Sequence, residues 1–190
     1  MSMYRILYLG RKLELTEPAL EMLWAKIQAD GLAETLFYDG SVRSEYDFIC
    51  SMMNRNTCPY LVTCDGKFAL FSWLNGAEGR AMRIHFTMFK ESWGGKRNAV
   101  DVARHFVSYV LTRKDADGYL LDTLYGLTPT SNRLACRFVQ RAGMDKIGIL
   151  PNAVSLFFNG NRTDNALVTC ATRESLGIGP DGNVEATWNA

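Results

Sequence analysis

The spacing of apolar residues changes along this chain, from a period of about 3.6 residues near the start to a period of two in the middle. Two of the alternating runs, Tyr60 to Cys64 and Lys67 to Leu74, are joined by Asp65-Gly66, a dipeptide typical of tight β-hairpins. Asn75-Gly76 is then predicted to begin a turn into a third run, Ala81 to Phe89, where apolar and polar side chains alternate. The sequence therefore predicts a meander of three antiparallel strands.

Helical periodicity precedes and follows this meander. The other predicted elements are a strand at 3–9, a helix capped by Thr16 and ended by Gly31, a helix from Ser41 to about Asn54, an amphipathic helix before Asp117, a strand at 119–127, a helix at 132–143, and strands at 146–150 and 166–172 around a polar turn at 159–161. This alternation predicts an α/β protein with a mixed sheet and helices on both faces. The path from the third meander strand to the strand at 119–127 has the length of a right-handed parallel crossover.

Length and composition limit the class of protein. The 190 residues are 47% hydrophobic, enough for one domain, which we place at 1–172 with a loosely ordered tail at 173–190. Lys and Arg number 21 against 20 Asp and Glu, so no overall field favours nucleic acid. No apolar stretch reaches the roughly 18 residues of a membrane span, and the five cysteines, with no C-x-x-C pair, are typical of a reducing compartment. We therefore expect a cytoplasmic protein with no nucleic-acid or membrane partner.

Two segments have the pattern of a ligand site. The first, WGGKRNAV from Trp93 to Val100, puts glycines and basic residues directly before a helix, where unpaired amides and the helix dipole favour a phosphate. The second, NRLACRFVQRAGM from Asn132 to Met144, opens a helix with an asparagine and ends it at Gly143. An asparagine in that position either caps its own helix or bonds to a ligand, and the sequence leaves both open.

The order of elements and these two segments together resemble the GCN5-related N-acetyltransferase (GNAT) superfamily, most closely its branch that acetylates the N-termini of ribosomal proteins. The resemblance covers roughly residues 3 to 172. It implies the acyl-CoA N-acyltransferase fold, a central mixed sheet of six or seven strands between helices. It also implies transfer of an acetyl group from acetyl-CoA, or another acyl group from its CoA ester, to a primary amine of a small molecule or peptide. The sequence specifies neither the acceptor amine nor an oligomeric state.

The resemblance further implies three groups of cofactor contacts. They are the loop Gly94, Gly95, Lys96, Arg97 and Asn98 on the pyrophosphate, the backbone of Thr87, Met88 and Phe89 on the pantetheine amides, and Asn132 on the pantetheine arm. Arg97 stands where the family usually has a glycine, which would let the backbone approach a phosphate closely. The arginine would either add a charge-assisted contact to the phosphate or fill the site, and both remain open.

The catalytic groups are less well specified, because Val139 replaces the tyrosine that protonates the leaving thiolate in many family members. The candidates lie on the strands that splay around the cofactor in this family. His85 is a candidate base because histidine titrates near neutrality, and Tyr125 is a candidate proton donor to the thiolate. Asp122 interrupts an apolar strand, where a buried carboxylate either has a partner, such as Arg83 or His85, or acts as a base. The alternative is a degenerate member of the fold, including a phage- or prophage-encoded one, that binds or assembles without turnover.

Overall fold

Seven strands of this chain form one mixed sheet with helices packed on both faces. The computed structural model describes residues 4–10, 13–93 and 99–179. The helices are α1 (Leu13–Ala29), α2 (Ala33–Leu36), α3 (Glu45–Met53), α4 (Ala99–Thr112) and α5 (Arg133–Arg141). The strands are β1 (Tyr4–Tyr8), β2 (Cys58–Cys64), β3 (Lys67–Glu78), β4 (Ala81–Met88), β5 (Lys114–Asp115), β6 (Gly118–Tyr119), β7 (Thr123–Pro129), β8 (Asp145–Leu156) and β9 (Arg162–Thr172). Within these ranges no helix has both the length and the apolar character that a membrane crossing requires.

The sheet has the order β1-β2-β3-β4-β7-β9-β8, and β5 and β6 form a separate small hairpin. Among the described strands, β4 and β7 form the one parallel pair, and α4 lies in the connection between them, as the predicted crossover requires. Their pairing is short: it comprises Ala81 with Thr123, Met82 with Leu124, and Arg83 with Tyr125. Beyond these three rungs the two strands diverge. The predicted α/β architecture with a mixed sheet is confirmed.

Each face of the sheet has its own apolar core, because successive side chains of a strand point to opposite faces. Leu70 and Leu74 of β3 lie in the core formed with α4. Phe71 and Trp73 of the same strand lie in a second core with α1, α2 and α3, where Trp73 stacks on Phe37 with ring centroids 5.4 Å apart. Fully burying one such aromatic or aliphatic side chain contributes about 1.5–3 kcal/mol, so both helical layers are held firmly to the sheet.

The predicted turn at Asn75-Gly76 is wrong, because β3 continues through it to Glu78. The chain turns instead just before Ala81, where Gly79 has a φ of +60°. Gly76, at a φ of +59°, lies in a register irregularity between Asn75 and Glu78. An Asn-Gly pair indicates a backbone that accepts positive φ, and a β-bulge uses this property as readily as a hairpin turn.

Two predicted helix caps also differ from the structure. α1 begins at Leu13, so Thr16 lies inside the helix and is not its N-cap. α3 is capped by Ser44, whose side chain accepts a hydrogen bond of 3.1 Å from the backbone N–H of Asp47, and not by Ser41. Ser, Thr, Asp and Asn all make acceptable caps, so a chain with several of them nearby does not specify which one is used.

The last strands are longer than the apolar pattern predicted. β8 and β9 extend well beyond 146–150 and 166–172, to Asp145–Leu156 and Arg162–Thr172, and they enclose the predicted turn, where Gly160 has a φ of +75°. The predicted part of β8 contains the exposed Ile147, Ile149 and Leu150, whereas the part that was missed, residues 151–156, begins with Pro151-Asn152 and a register irregularity against β9. Backbone pairing with β9, which needs no particular side chain, forms this part of the sheet.

Three charged side chains fasten the paired ends of β4 and β7, and we call them the clamp: Arg80, Asp122 and Arg173. Asp122, directly before β7, pairs with Arg80, directly before β4, at 2.8 Å between Oδ2 and Nε. It also accepts a hydrogen bond from Arg173, which follows β9. Arg173 donates in addition to the backbone carbonyls of Leu111 and Leu121. One guanidinium therefore ties together α4, β7 and the end of β9.

The chain continues to pack past the predicted domain boundary at residue 172. Leu176 and Ile178 are buried in the core under α4. Gly143, with a φ of +94°, lies so close to this segment that an added Cβ would be 2.7 Å from Leu176. Residues 180–190 of the predicted tail lie outside the described residues.

We expect Arg173→Ala to lower the free energy of unfolding by about 1–3 kcal/mol, because two carbonyls and a carboxylate lose their common donor. Urea denaturation followed by circular dichroism measures the change. Arg137→Ala, at an exposed position of α5, is the matched control and should stay within about 0.5 kcal/mol of the parent. Equal losses in the two variants would contradict a bridging role for Arg173.

Candidate active site

The diverging ends of β4 and β7 enclose a gap at the centre of the sheet. The strands are paired through Arg83 and Tyr125, and β4 then continues to Met88 and β7 to Pro129 without pairing with each other. Each strand leads into a helix, β4 into α4 and β7 into α5. Ligands of open α/β sheets bind at the carboxyl ends of parallel strands, where helices begin. The gap is therefore the first candidate for a cofactor site.

The backbone of Phe89 is not available to a cofactor. Its N–H donates to the carbonyl of Ala69 at 3.0 Å, and its carbonyl accepts from the N–H of Ser92 at 2.9 Å and from the Ser92 hydroxyl at 2.7 Å. The prediction that Phe89 pairs with pantetheine amides is therefore wrong. The reason is that a short 3₁₀ turn at Lys90–Ser92, which the sequence did not indicate, uses these groups.

Other backbone groups of β4 do face the gap. In an antiparallel pair, alternate residues exchange hydrogen bonds with the partner strand. Because Phe89 bonds to the β3 side, Thr87 does so as well, and the main-chain groups of Phe86 and Met88 point to the opposite edge, toward β7. Of the predicted backbone contacts, Met88 is thus the one placed at the gap. Phe86 is a further position that the sequence analysis missed.

Gly126 of β7 forms the opposite wall of the gap. A Cβ at this position would lie 3.3 Å from the Thr169 hydroxyl, 3.6 Å from Met144 and 3.9 Å from the carbonyl of Ile84 on β4. A side chain here would therefore press on Thr169 of β9 and on Met144, on the α4 face of the sheet beside the gap. The sequence analysis also missed Gly126, although an isolated glycine inside a strand pattern is a known sign of close approach.

Asn132 caps α5, since its side-chain oxygen accepts a hydrogen bond of 3.1 Å from the N–H of Ala135. The sequence left open whether Asn132 caps its own helix or bonds to a ligand, and the structure shows that it caps the helix. The side-chain NH₂ group of Asn132 is the part that a ligand contact would use, and that contact stays a prediction.

The predicted pyrophosphate loop, consisting of Gly94, Gly95, Lys96, Arg97 and Asn98, lies outside the described residues. Its contacts therefore stay a prediction. The described residues beside it are Trp93, whose side chain is 57% exposed, and Ala99, the first residue of α4.

His85 is held as a neutral side chain within the sheet face covered by α1 to α3. Its ring stacks on Trp73 at 4.6 Å between centroids with an interplanar angle of 4°, and Nε2 lies 3.1 Å from the Asn75 side-chain oxygen. Burial, together with the positive charge of Arg83, lowers the pKa of His85 to about 3. An imidazole with this pKa is a weak base, so its surroundings favour a positioning role over the predicted role as general base.

Asp122 is paired, which was one of its two expected roles, but its partners are Arg80 and Arg173 and not the suggested Arg83 or His85, and the expected burial is wrong. Its side chain is 48% exposed, because the predicted strand at 119–127 begins only at Thr123. The hydrogen bond from Arg173 and the charge of Arg80 hold the pKa of Asp122 below its usual value. As a carboxylate already held by two guanidiniums, it is a poor acceptor for a substrate proton.

A polar cleft of about 420 Å³ opens beside the last paired rung of β4 and β7. It lies on the face covered by α1 to α3, since Arg83 alternates with Ile84, whose side chain is in the α4 core. The lining comprises Ser51, Asn54, Asn56, Thr57, Asn75, Gly76, Arg83 and Tyr125. We call it the Arg83 cleft. The predicted proton donor Tyr125 is therefore at the edge of an open site, next to the point where the strands separate.

A seven-stranded mixed sheet in which two central parallel strands diverge and lead into helices is the GNAT acyl-CoA N-acyltransferase fold, as predicted. Solved structures with this fold superpose on most of the chain. Aminoglycoside acetyltransferase AAC(6')-Ib with coenzyme A and kanamycin is 13% identical, with a TM-score of 0.64 over 93% of this chain and 97% of its own. RimL, the ribosomal L7/L12 α-N-protein acetyltransferase, with coenzyme A is 18% identical, with a TM-score of 0.61 over 82% and 88%.

An aminoglycoside N(6') acetyltransferase from Legionella pneumophila is 11% identical, with a TM-score of 0.62 over 90% of this chain and 92% of its own. No family model and no curated protein sequence matches this chain. The structural neighbours are thus GNAT acetyltransferases of more than one kind, and the similarity is one of fold.

We expect His85 to make the folded state less stable in acid. The unfolded histidine binds a proton below pH 6.5 and the folded one only near pH 3, so stability falls as the pH drops below about 6.5. Between pH 7 and pH 5 this amounts to about 2 kcal/mol. Urea unfolding at the two pH values should show a smaller loss in His85→Gln than in the parent. His105→Gln, which changes the other histidine, should keep the parental loss, and identical pH dependence in all three proteins would contradict the assignment.

Proposed function

We propose that this chain is an acetyl-CoA-dependent N-acetyltransferase that acts on a primary amine. The observation that carries the proposal is the gap between β4 and β7. These strands pair at three residue pairs and are unpaired beyond them, and Gly126 borders the gap. Neighbours of the same fold that were solved with coenzyme A support it. In this proposal the pantetheine amides pair with the main chain of Phe86 and Met88, Asn132 bonds to the arm through its NH₂ group, and the loop from Gly94 to Asn98 takes the pyrophosphate.

The acceptor enters by the Arg83 cleft, on the α1 to α3 face of the sheet. Its uncharged amine nitrogen attacks the thioester carbonyl carbon, a C–N bond forms, and the C–S bond breaks. The nitrogen loses a proton to water, and the coenzyme A thiolate takes a proton from the hydroxyl of Tyr125, which is then reprotonated by solvent. We assign no side chain as the base, because burial makes His85 a weak base and Asp122 belongs to the clamp.

Acetyl-CoA should raise the stability of the protein, by about 2.7 kcal/mol at a hundredfold its dissociation constant, because it binds only the folded state. Gly126→Val should weaken this stabilisation, because its side chain would force Thr169 or Met144 to shift at the border of the gap. Gly148→Val on β8 is the control, because an added Cβ there meets nothing within 4 Å. Thermal unfolding with and without the ligand measures all three proteins. No shift for the parent at millimolar acetyl-CoA would reject the proposed function.

Tyr125→Phe should lower kcat about a hundredfold, the usual contribution of a general acid, with acetyl-CoA stabilisation unchanged. Release of the free thiol, followed over a range of pH, measures the rate. Tyr46→Phe, an exposed tyrosine of α3 that does not line the cleft, should leave kcat unchanged. A kcat for Tyr125→Phe within threefold of the parent would remove Tyr125 from the mechanism.

The second candidate is a protein of the same fold that binds coenzyme A or a partner without turnover. The weak basicity of His85, the engagement of Asp122 in the clamp, and Val139 in place of the family tyrosine favour it. It differs from the enzyme in one result: whether or not acetyl-CoA binds, no primary amine would accelerate thiol release.

A further inference from the structure

The Arg83 cleft has one charged side chain among its described lining residues. Arg83 is the cation, and the other lining residues are neutral amides, hydroxyls and a glycine. The volume, about 420 Å³, is in the range of small-molecule sites, and several of these side chains have hydrogen-bonding groups for a ligand. The cleft therefore has the size for a small polar compound and a net positive charge.

Arg83 lies at the centre of the sheet, in register with Asn75 on β3 and Tyr125 on β7. Its Nε atom is buried and has no hydrogen-bond partner in the described part of the chain. Tyr38 lies near the guanidinium, whose charge opposes the burial that raises the pKa of the Tyr38 hydroxyl. No described carboxylate forms an ion pair with it, in contrast to Lys26, Arg80 and Arg173. A partly buried cation without a counter-ion is costly, so its presence in an open cleft points to an anion supplied by the ligand.

The nearby acidic group is already engaged. The negative charge of Asp39 reaches His85, but its carboxylate accepts from the Ser41 N–H at 3.0 Å and from the Ser41 hydroxyl at 2.7 Å. Asp39 is also not part of the cleft lining. Asp39 therefore acts on this region only through its field and forms no direct ion pair with Arg83.

The positive charge of the Arg83 cleft does not suit the cationic acceptors of some structural neighbours. Two of those neighbours are aminoglycoside acetyltransferases, and aminoglycosides carry several ammonium groups at neutral pH. A polycation would meet Arg83 with no carboxylate among the described lining residues to offset the repulsion. The cleft is electrostatically suited to the opposite kind of acceptor.

We infer that the acceptor is a small primary amine that also carries a carboxylate, and that Arg83 binds this carboxylate beside the last paired rung of β4 and β7. The inference rests on the proposed function, since it assigns the Arg83 cleft to the acceptor. The planar guanidinium matches a carboxylate through two parallel hydrogen bonds, and a single arginine matches its single charge. The amine then lies toward the separation of the strands, where acyl transfer is proposed. Arg83 determines specificity and takes no part in proton transfer.

The test compares matched acceptors. The ω-amino acids from glycine to 6-aminohexanoate, their carboxamides, and kanamycin are assayed with acetyl-CoA by thiol release. For the best pair, kcat/KM of the acid should exceed that of the amide about 10- to 100-fold, the range of a charge-assisted hydrogen bond. Equal values, or kanamycin as the preferred acceptor, would overturn the inference.

Variants assign the preference to Arg83. Arg83→Gln should raise KM for the acid to that for the amide and leave the amide unchanged, because binding and not chemistry is altered. Arg83→Lys keeps the positive charge but cannot form the two parallel hydrogen bonds of a guanidinium. It should retain part of the preference for the acid over the amide, and it remains informative if Arg83→Gln does not fold. Arg55→Gln removes an exposed charge from the loop next to the cleft and should keep the full preference. A similar loss in Arg55→Gln would show a general field effect and overturn the assignment.

A separate measurement distinguishes failure of the inference from failure of the proposed function. If no amine accelerates thiol release, the proposed transferase activity is rejected. Calorimetric titration of the same acid and amide pairs into the protein with coenzyme A then measures their binding to the cleft without any reaction. Binding of an acid at least tenfold tighter than its amide, lost in Arg83→Gln, upholds a carboxylate site. Equal binding, or binding of neither, overturns it.

Discussion

Three rungs of parallel pairing hold β4 against β7, and the clamp of Arg80, Asp122 and Arg173 lies directly before them. Parallel strands are not joined by a tight hairpin that would set their register. Interactions with residues outside the two strands therefore help to fix the position of β4 relative to β7. The clamp does this by joining the residue before each strand to the end of β9. Because the strands are tied at one end and unpaired at the other, the centre of the sheet opens into a gap. The candidate site depends on this arrangement.

The two faces of the sheet have different parts in the proposed site. On the α4 face, Gly126 borders the gap, and Thr169 and Met144 lie close to it. On the other face, Trp73 and His85 stack within the aromatic core that α1 to α3 complete, and the Arg83 cleft opens beside them. A donor in the gap and an acceptor in the cleft would therefore approach each other from opposite sides of the same strands.

The charge of the whole chain says little about the charge of its site. Acidic and basic residues nearly balance, and yet Asp122 is surrounded by two arginines while Arg83 has no described acidic partner. Local pairing, and not the total, decides which charges remain for a ligand. The same holds for titration: His85, an ordinary candidate base on an alternating strand, becomes a weak base once Trp73 and the sheet enclose it.

The sequence alone determined the mixed α/β class, the meander, the crossover helix and the family resemblance, because hydrophobic period and turn residues are local properties. It placed Tyr125 and Met88 among candidate residues that the structure brings to the cleft and the gap. The prediction for Phe89 was wrong because its backbone groups are already hydrogen-bonded, in part within a 3₁₀ turn. The partners of Asp122 were also not those suggested, since they lie 42 and 51 positions away along the chain. Only the tertiary structure decided which charges are paired, that Gly126 borders the gap, and that Arg83 faces an open cleft. Such contacts join residues far apart in sequence, so no local pattern records them.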